Sequence, residues 1–407
     1  MPEIKAFRGW RYNAKRVGNL SNVVAPPYDV ISKKQQEALY DKNQHNIIRL
    51  ELGRDKAGDS DFSNKYTRAA QYWNDWAREE ALIQDEQPTL YIHVQDYKEE
   101  GKNKTRVGFL AAMKIDEKFV LKHENTLTGP KKDRLDLIKA VKTNLSPIFG
   151  LFEDKPGSVH AMLKRSTKQK PVLDVTLDGV RHRLFLESDP KTTQKICSSL
   201  KSKPMYIADG HHRFEVSKQF KEWMAQNGGS ASAQYVMTYF CDFKHNPFKI
   251  FPTHRIVKVS KSLPVAELLK DRGVLKKVKS LPVLKQYQFG VYSKKEGFFV
   301  LTLSPKLAKK VKNNPVDRLD VAVLHEFIIK PCFKIEAIEK SSDIDFTRDA
   351  KEAKEKVDAA AFDLALFLRP TSLDEMILAS KKGLKMPQKS TYFYPKLLTG
   401  LVFHRMV

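Results

Sequence analysis

A mixed α and β fold is what the sequence predicts, and three observations carry it. Short apolar runs of strand type alternate with stretches of helical spacing along the chain. The dipeptide Asp178-Gly179 separates two such runs, a strong hairpin signal. Hairpins and helices interleave without a strand–helix–strand rhythm, so a regular doubly wound sheet is not expected.

The elements follow in order. From Asp61 to Ile83, Phe62, Tyr66, Ala69, Ala70, Trp73, Trp76 and Ala77 recur at helical spacing and predict a helix with an apolar face. Leu90–Tyr97 and Arg106–Ile115 read as strands joined by the polar loop Lys98–Lys104. A loop is expected over His123–Pro130, then a helix over Lys131–Val141 with Leu135, Ile138 and Val141 on one face. Pro147–Phe152 reads as a buried strand and Val172–Leu186 as a hairpin. Met205–Ala208 is a short strand, Phe214–Met224 a helix and Tyr235–Cys241 a strand. Beyond these, Val316–Ile329 and Leu373–Ser380 read as helices and Asp363–Leu368 as a strand. Boundaries near residues 118 and 260 divide the chain into an N-terminal region (1–118), a core (119–260) and a C-terminal region (261–407).

Bulk properties narrow the class. With 41% apolar and 29% charged residues over 407 positions, the chain can bury a full core and hold two or three units. No apolar run approaches the ~18 residues of a membrane span. The start, Met1–Trp10, has no apolar stretch of signal type. Cys197, Cys241 and Cys332 are too scattered for a disulfide framework or a metal cluster, which makes a reducing cytoplasm the expected setting. The net charge of +24 is concentrated between Val257 and Lys312, where 14 Lys/Arg face 3 Asp/Glu. Few aromatics interleave with these lysines, so a solvated face is expected there before a nucleic-acid surface.

The segment Tyr206–Phe214 carries the clearest chemistry. An apolar strand ends at Ala208, Asp209-Gly210 turns the chain, and His211-His212-Arg213 open a helix. Unpaired N–H groups and the helix dipole favour an anion at such a start. Arg213 adds a bidentate donor for phosphate, and the histidines add further donors. Asp209 would repel phosphate, so it is expected to bind Mg²⁺ or to orient His or Arg. There is no Walker-type loop and no His-Glu-x-x-His motif. Elsewhere, Thr253-His254-Arg255 offers a second anion site, and Pro26-Pro27 makes a rigid turn that presents Tyr28 and Asp29. His123-Glu124 offers a carboxylate base with a neighbouring imidazole.

The Asp209–Arg213 box resembles the phosphate-gripping Gly-x-x-Arg signature of the ParB/sulfiredoxin-like nucleotide-binding superfamily. The chain as a whole is similar to a widespread bacterial family through Ala25–Val30, His123-Glu-Asn-Thr126, Asp133-Arg134, Ser146–Phe149, Ala208–Arg213 and Pro252–Arg255. It also resembles the archaeal free-serine kinases, which carry a His-Glu element upstream of such a box and a closing segment like Leu373–Tyr392. The resemblance implies a ParB-like nucleotide-binding core at 119–260, a C-terminal substrate region, and phosphoryl transfer from ATP or ADP with Mg²⁺ to free L-serine. It implies Glu124 as base, Asp209 to Arg213 as nucleotide box, and Lys389, Ser390 and Thr391 near the amino acid. A DNA-associated nucleotide-binding regulator is the alternative of different class, although no helix-turn-helix pattern stands out. Redox chemistry of sulfiredoxin type would need a reactive cysteine near the box.

Overall fold

The computed structural model describes residues 2–125, 128–201, 203–259 and 263–407. The predicted boundary at Ser260 and the end of the motif at Thr126 lie outside the described residues. Two compact units emerge. Unit 1 comprises Met1–Leu121, Thr126–Phe248 and Pro395–Val407, and unit 2 comprises Lys122–Asn125 and Lys249–Tyr394. This division runs along different lines from boundaries at 118 and 260, because the chain leaves unit 1 and returns to it after residue 394.

Unit 1 is built on a mixed sheet. Among the described residues its order is Val120–Leu121, Met205–Asp209, Ile148–Phe152, Tyr235–Asp242, Lys102–Lys114, Leu90–Glu99, Val180–Glu187 and Leu173–Leu177. Ile4–Lys5 adds to Lys102–Lys114. Two pairings are parallel, Met205–Asp209 with Val120–Leu121 and Ile148–Phe152 with Tyr235–Asp242. The others are antiparallel. Alternation along the strands sends Ile92, Val94, Val107, Phe109, Ala111 and Phe240 into one core, sealed by Val159, Leu163, Ile196 and Phe214 from the helices. A second core gathers Trp73 and Trp76 of helix Lys65–Arg78 with Val23, Ile47 and Phe403.

The expected hairpins form, with one difference. Leu90–Glu99 and Lys102–Lys114 run on through the segment read as a polar loop, leaving only Glu100-Gly101 as the turn. Both turn residues have positive φ (+49° and +78°), the left-handed pair that matches the twist of a two-residue hairpin. Cross-strand pairing thus extends polar residues such as Lys102 and Lys104 that carry little strand propensity of their own.

Among the described residues, unit 2 contains a six-stranded antiparallel sheet, ordered Gly273–Val278, Gly297–Leu303, Gln288–Ser293, Leu364–Phe367, His254–Val257 and Ile344–Thr347. Three strands of this sheet, Gly273–Val278, Gln288–Ser293 and Gly297–Leu303, come from the lysine-rich segment 257–312, with Lys276 and Lys277 exposed on the edge strand, where charge blunts edge-to-edge association. Helix Asp320–Leu324 passes into a π turn over His325–Ile329 before Lys330–Phe333. No helix among the described residues is long and apolar enough to cross a membrane.

Candidate functional site

In unit 1, strand Met205–Asp209 delivers Asp209 to the sheet end, and Gly210 begins helix His211–Gln226, 16 residues long. Gly210 has φ +93°, and a Cβ there would lie 3.1 Å from Arg213 Nε. Glycine is needed twice over: for the left-handed backbone and to let the guanidinium lie across the turn. Arg213 donates from Nη1 to the Pro147 carbonyl and from Nη2 to Asp209 Oδ2 at 3.4 Å. Lys396 Nζ donates to the same Asp209 oxygen at 3.1 Å. Burial would raise the Asp209 carboxyl, but Lys396 and Arg213 prevail and hold it well below the usual carboxylate range. Burial works against the Arg213 cation too, yet its anionic neighbours, Asp209 foremost, keep its pKa above the ordinary value.

The geometry assigns Asp209 to orienting two cations. Its Oδ1 accepts from the N–H of Gly210 at 3.0 Å and its Oδ2 takes both Lys396 and Arg213. A Mg²⁺ ion at this carboxylate does not fit that donor arrangement, because two positive charges already face it. Two cations thus share one carboxylate at the start of a long helix, in a partly desolvated corner.

Other motif segments of unit 1 converge on the same place. Tyr28 and Asp29 form a single 3₁₀ turn with Val30 after Pro27. The Arg134 guanidinium lies 4.3 Å from the centre of the Tyr28 ring. Burial pushes the Tyr28 hydroxyl up to about 12, with Arg213 and Arg134 opposing. Arg134 donates from Nη1 to the Glu51 carbonyl at 2.6 Å and from Nε to Asp133 at 2.8 Å. Tyr66 donates to the other oxygen of Asp133 at 2.8 Å. Glu51 is buried, accepts from Ser146 Oγ at 3.0 Å, and is raised by desolvation against the pull of Arg134 and Arg213. Glu51, Arg134, Ser146 and Arg213 line one small cavity with Ser217.

Sequence reasoning missed Glu51 and Lys396 as site residues. Lys396 stands 187 residues beyond Asp209, and no local pattern marks it. Its backbone is pinned by the sheet: Gln95 donates to the Lys396 carbonyl at 2.9 Å and Arg106 to that of Pro395. Arg134 and Ser146 were visible as motif positions, though not as members of this cluster.

In unit 2, Lys122–Asn125 runs beside Lys385–Thr391. Met386 donates its N–H to the His123 carbonyl at 2.7 Å, and Lys389 donates its N–H to Glu124 Oε1 at 3.3 Å. His123 Nε2 lies 3.4 Å from Thr391 Oγ1. Lys389 adopts φ +56°, and Ser390 is buried with its hydroxyl donated to the Pro387 carbonyl. Expected catalytic and substrate residues, widely separated in sequence, are thus neighbours.

Thr253-His254-Arg255 behaves differently from an open anion site. All three are buried. His254 Nδ1 accepts from the Leu368 N–H at 3.4 Å, and burial drops its pKa to about 4. Arg255 donates to the Thr253 carbonyl, to the Gln388 carbonyl at 3.3 Å and to His325 Nε2 at 3.1 Å. Its guanidinium is an internal brace for the segment carrying Lys389. The thiols of Cys197 and Cys241 are pushed by burial up to about 11 and about 12, so neither is a thiolate at neutral pH.

A free serine kinase in complex with AMP is 12% identical, with 70% of this chain and 86% of that chain covered at a TM-score of 0.37. A conserved hypothetical protein from Pyrococcus furiosus is 12% identical over 71% of this chain and 92% of its own, at a TM-score of 0.35. SbnI with C-terminal truncation, from Staphylococcus aureus, is 12% identical over 71% and 85%, at 0.37. No curated protein matches. The model of one family matches residues 4–322, most of the chain, and the protein belongs to that family, described as "Protein of unknown function (DUF1015)".

Proposed function

We propose that the protein is a phosphotransferase that grips the phosphates of ATP or ADP at the Asp209–Arg213 box and phosphorylates a hydroxy-amino acid, with free L-serine as the acceptor. One observation carries the reading: Arg213 and Lys396 converge on Asp209 at the N-terminus of helix His211–Gln226. That corner supplies cations, helix N–H groups and a glycine backbone, which are the elements of a phosphate grip. A ParB-like core and the choice of serine rest on the sequence resemblance. Phosphoryl transfer asks the protein mainly for alignment and charge neutralisation. Arg213, Lys396 and the N–H groups of the box supply the neutralisation in this reading, with His211 and His212 as further donors. Glu124 is assigned the hydroxyl proton, and the Lys389–Thr391 segment the amino acid.

The experiment is a direct assay. Purified protein with Mg²⁺, ATP or ADP, and L-serine is expected to form O-phosphoserine, detected by mass spectrometry. Glu124→Gln is expected to abolish turnover while nucleotide still binds, and Arg213→Gln to weaken nucleotide binding itself. Undiminished turnover in Glu124→Gln would remove Glu124 from the base role. Nucleotide binding untouched in Arg213→Gln would remove the box.

A further inference from the structure

We propose that Asp154, Asp242 and His245 form a divalent transition-metal site in unit 1, separate from the phosphate box. Strands Ile148–Phe152 and Tyr235–Asp242 are parallel neighbours with Phe152 opposite Asp242. Both chains therefore leave the sheet at the same end, where ligands of open sheets gather. Asp154 follows just beyond one strand, and Asp242 closes the other.

Both carboxylates are buried, Asp154 at 0% exposed and Asp242 at 2%. Asp154 Oδ2 caps helix Ser158–Ser166 by accepting from the N–H groups of Val159 and His160 at 2.9 and 3.0 Å. Its Oδ1 has no hydrogen bond. The nearest cation to that oxygen is Lys203 Nζ, an ion-pair distance of 3.5 Å away. Asp242 Oδ1 accepts from Asp154 N–H at 2.8 Å and Lys244 N–H at 3.1 Å. Its Oδ2 accepts from His245 N–H at 2.8 Å and lies 2.7 Å from the ring Nδ1.

One donor atom from each of the three residues falls within 4.8 Å of the other two. The imidazole is held in place from both sides. His160 stacks on it with centroids 5.6 Å apart, and Gly157, at φ +70°, comes so close that a Cβ would meet His245 Nε2 at 3.1 Å. Helix capping accounts for Oδ2 of Asp154 and leaves Oδ1 buried without a hydrogen bond, with the Lys203 ammonium 3.5 Å away as its ion-pair partner. A divalent ion bound there would offset both charges, and two carboxylates with one imidazole suit Zn²⁺ or Mn²⁺.

The full chain, stripped with chelator and kept free of nucleotide, would be titrated with Zn²⁺ and with Mn²⁺ by calorimetry. One ion per chain is expected. His245→Ala and Asp154→Asn should each weaken binding about tenfold or more, whereas Asp209→Asn should leave it unchanged. Lys203→Gln removes a competing positive charge and should tighten it; a purely structural carboxylate pair predicts no such gain. Circular dichroism would confirm folding of each variant. If Asp154→Asn fails to fold, His245→Ala decides alone, since that side chain is 35% exposed. Absence of binding in the unsubstituted protein, or binding indifferent to His245→Ala, overturns the site.

Discussion

Two arginines, half-buried Arg213 and buried Arg255, each closing a motif that ends in His-x-Arg or His-Arg, make a useful contrast between the units. Arg213 in unit 1 shares a carboxylate with Lys396 and keeps its pKa above the ordinary value. Arg255 in unit 2 is 1% exposed, bonds to carbonyls and an imidazole, and burial pulls its pKa down to about 9 with Glu339 opposing. Residue type alone did not distinguish them. The carboxylate did: with it, the cation is oriented at the edge of a polar corner; without it, the cation is consumed in bracing the backbone.

The contrast breaks most sharply on stability. Arg255→Ala strands two carbonyls and His325 Nε2 in a buried setting, and a loss of about 3 kcal/mol or more is expected in urea unfolding. A loss below about 1 kcal/mol would mean that the brace is dispensable. Arg213→Ala is expected to act on binding, weakening ATP or ADP by about 2 kcal/mol, some thirtyfold, as measured by calorimetry. Gly210→Ala forces a side chain to φ +93° and against Arg213, so about 1–3 kcal/mol should be lost, and Gly210→Asn should lose less.

The most gradual effect is in pH dependence. His254 is lowered to about 4 by burial and by Arg255, below the ~6.5 of an unfolded histidine. Between these values the unfolded chain takes up a proton that the folded one refuses. Stability therefore falls as pH drops from about 6.5 toward 4, by up to about 1.4 kcal/mol per unit for each such group. His182, near 3, and His404, near 4, add the same sign in unit 1. His254→Leu should flatten the slope measured by denaturation at stepped pH; an unchanged slope would contradict a neutral His254 in the fold.

Much of unit 1 was legible in sequence because its strands are apolar and its turns carry Gly. Ile148–Phe152, the Asp178-Gly179 hairpin and the strand–turn–helix at Asp209 all lie where periodicity puts them. Unit 2 was harder. In Gly273–Val278 lysines interrupt the apolar alternation at an exposed edge, so local composition reads as solvent-facing while hydrogen bonding across the sheet decides the structure. The candidate site was half visible. Asp209, Gly210 and Arg213 announce themselves by spacing, whereas Lys396 and Glu51 are brought in by long-range topology that one-dimensional pattern does not encode.

The return of Pro395–Val407 to unit 1 has a consequence for synthesis. Phe403 belongs to the core of Trp73 and Trp76, and Lys396 completes the cation pair on Asp209. Unit 1 therefore remains unfinished on the ribosome until residues beyond 394 have emerged, although the nascent chain has long since made most of its sheet. Residues Lys249–Tyr394 of unit 2 are all translated during that wait. The corner at Asp209 is completed late, so premature termination anywhere within residues 249–394 would yield a chain without Lys396 and hence without the full cation pair of the proposed phosphate grip.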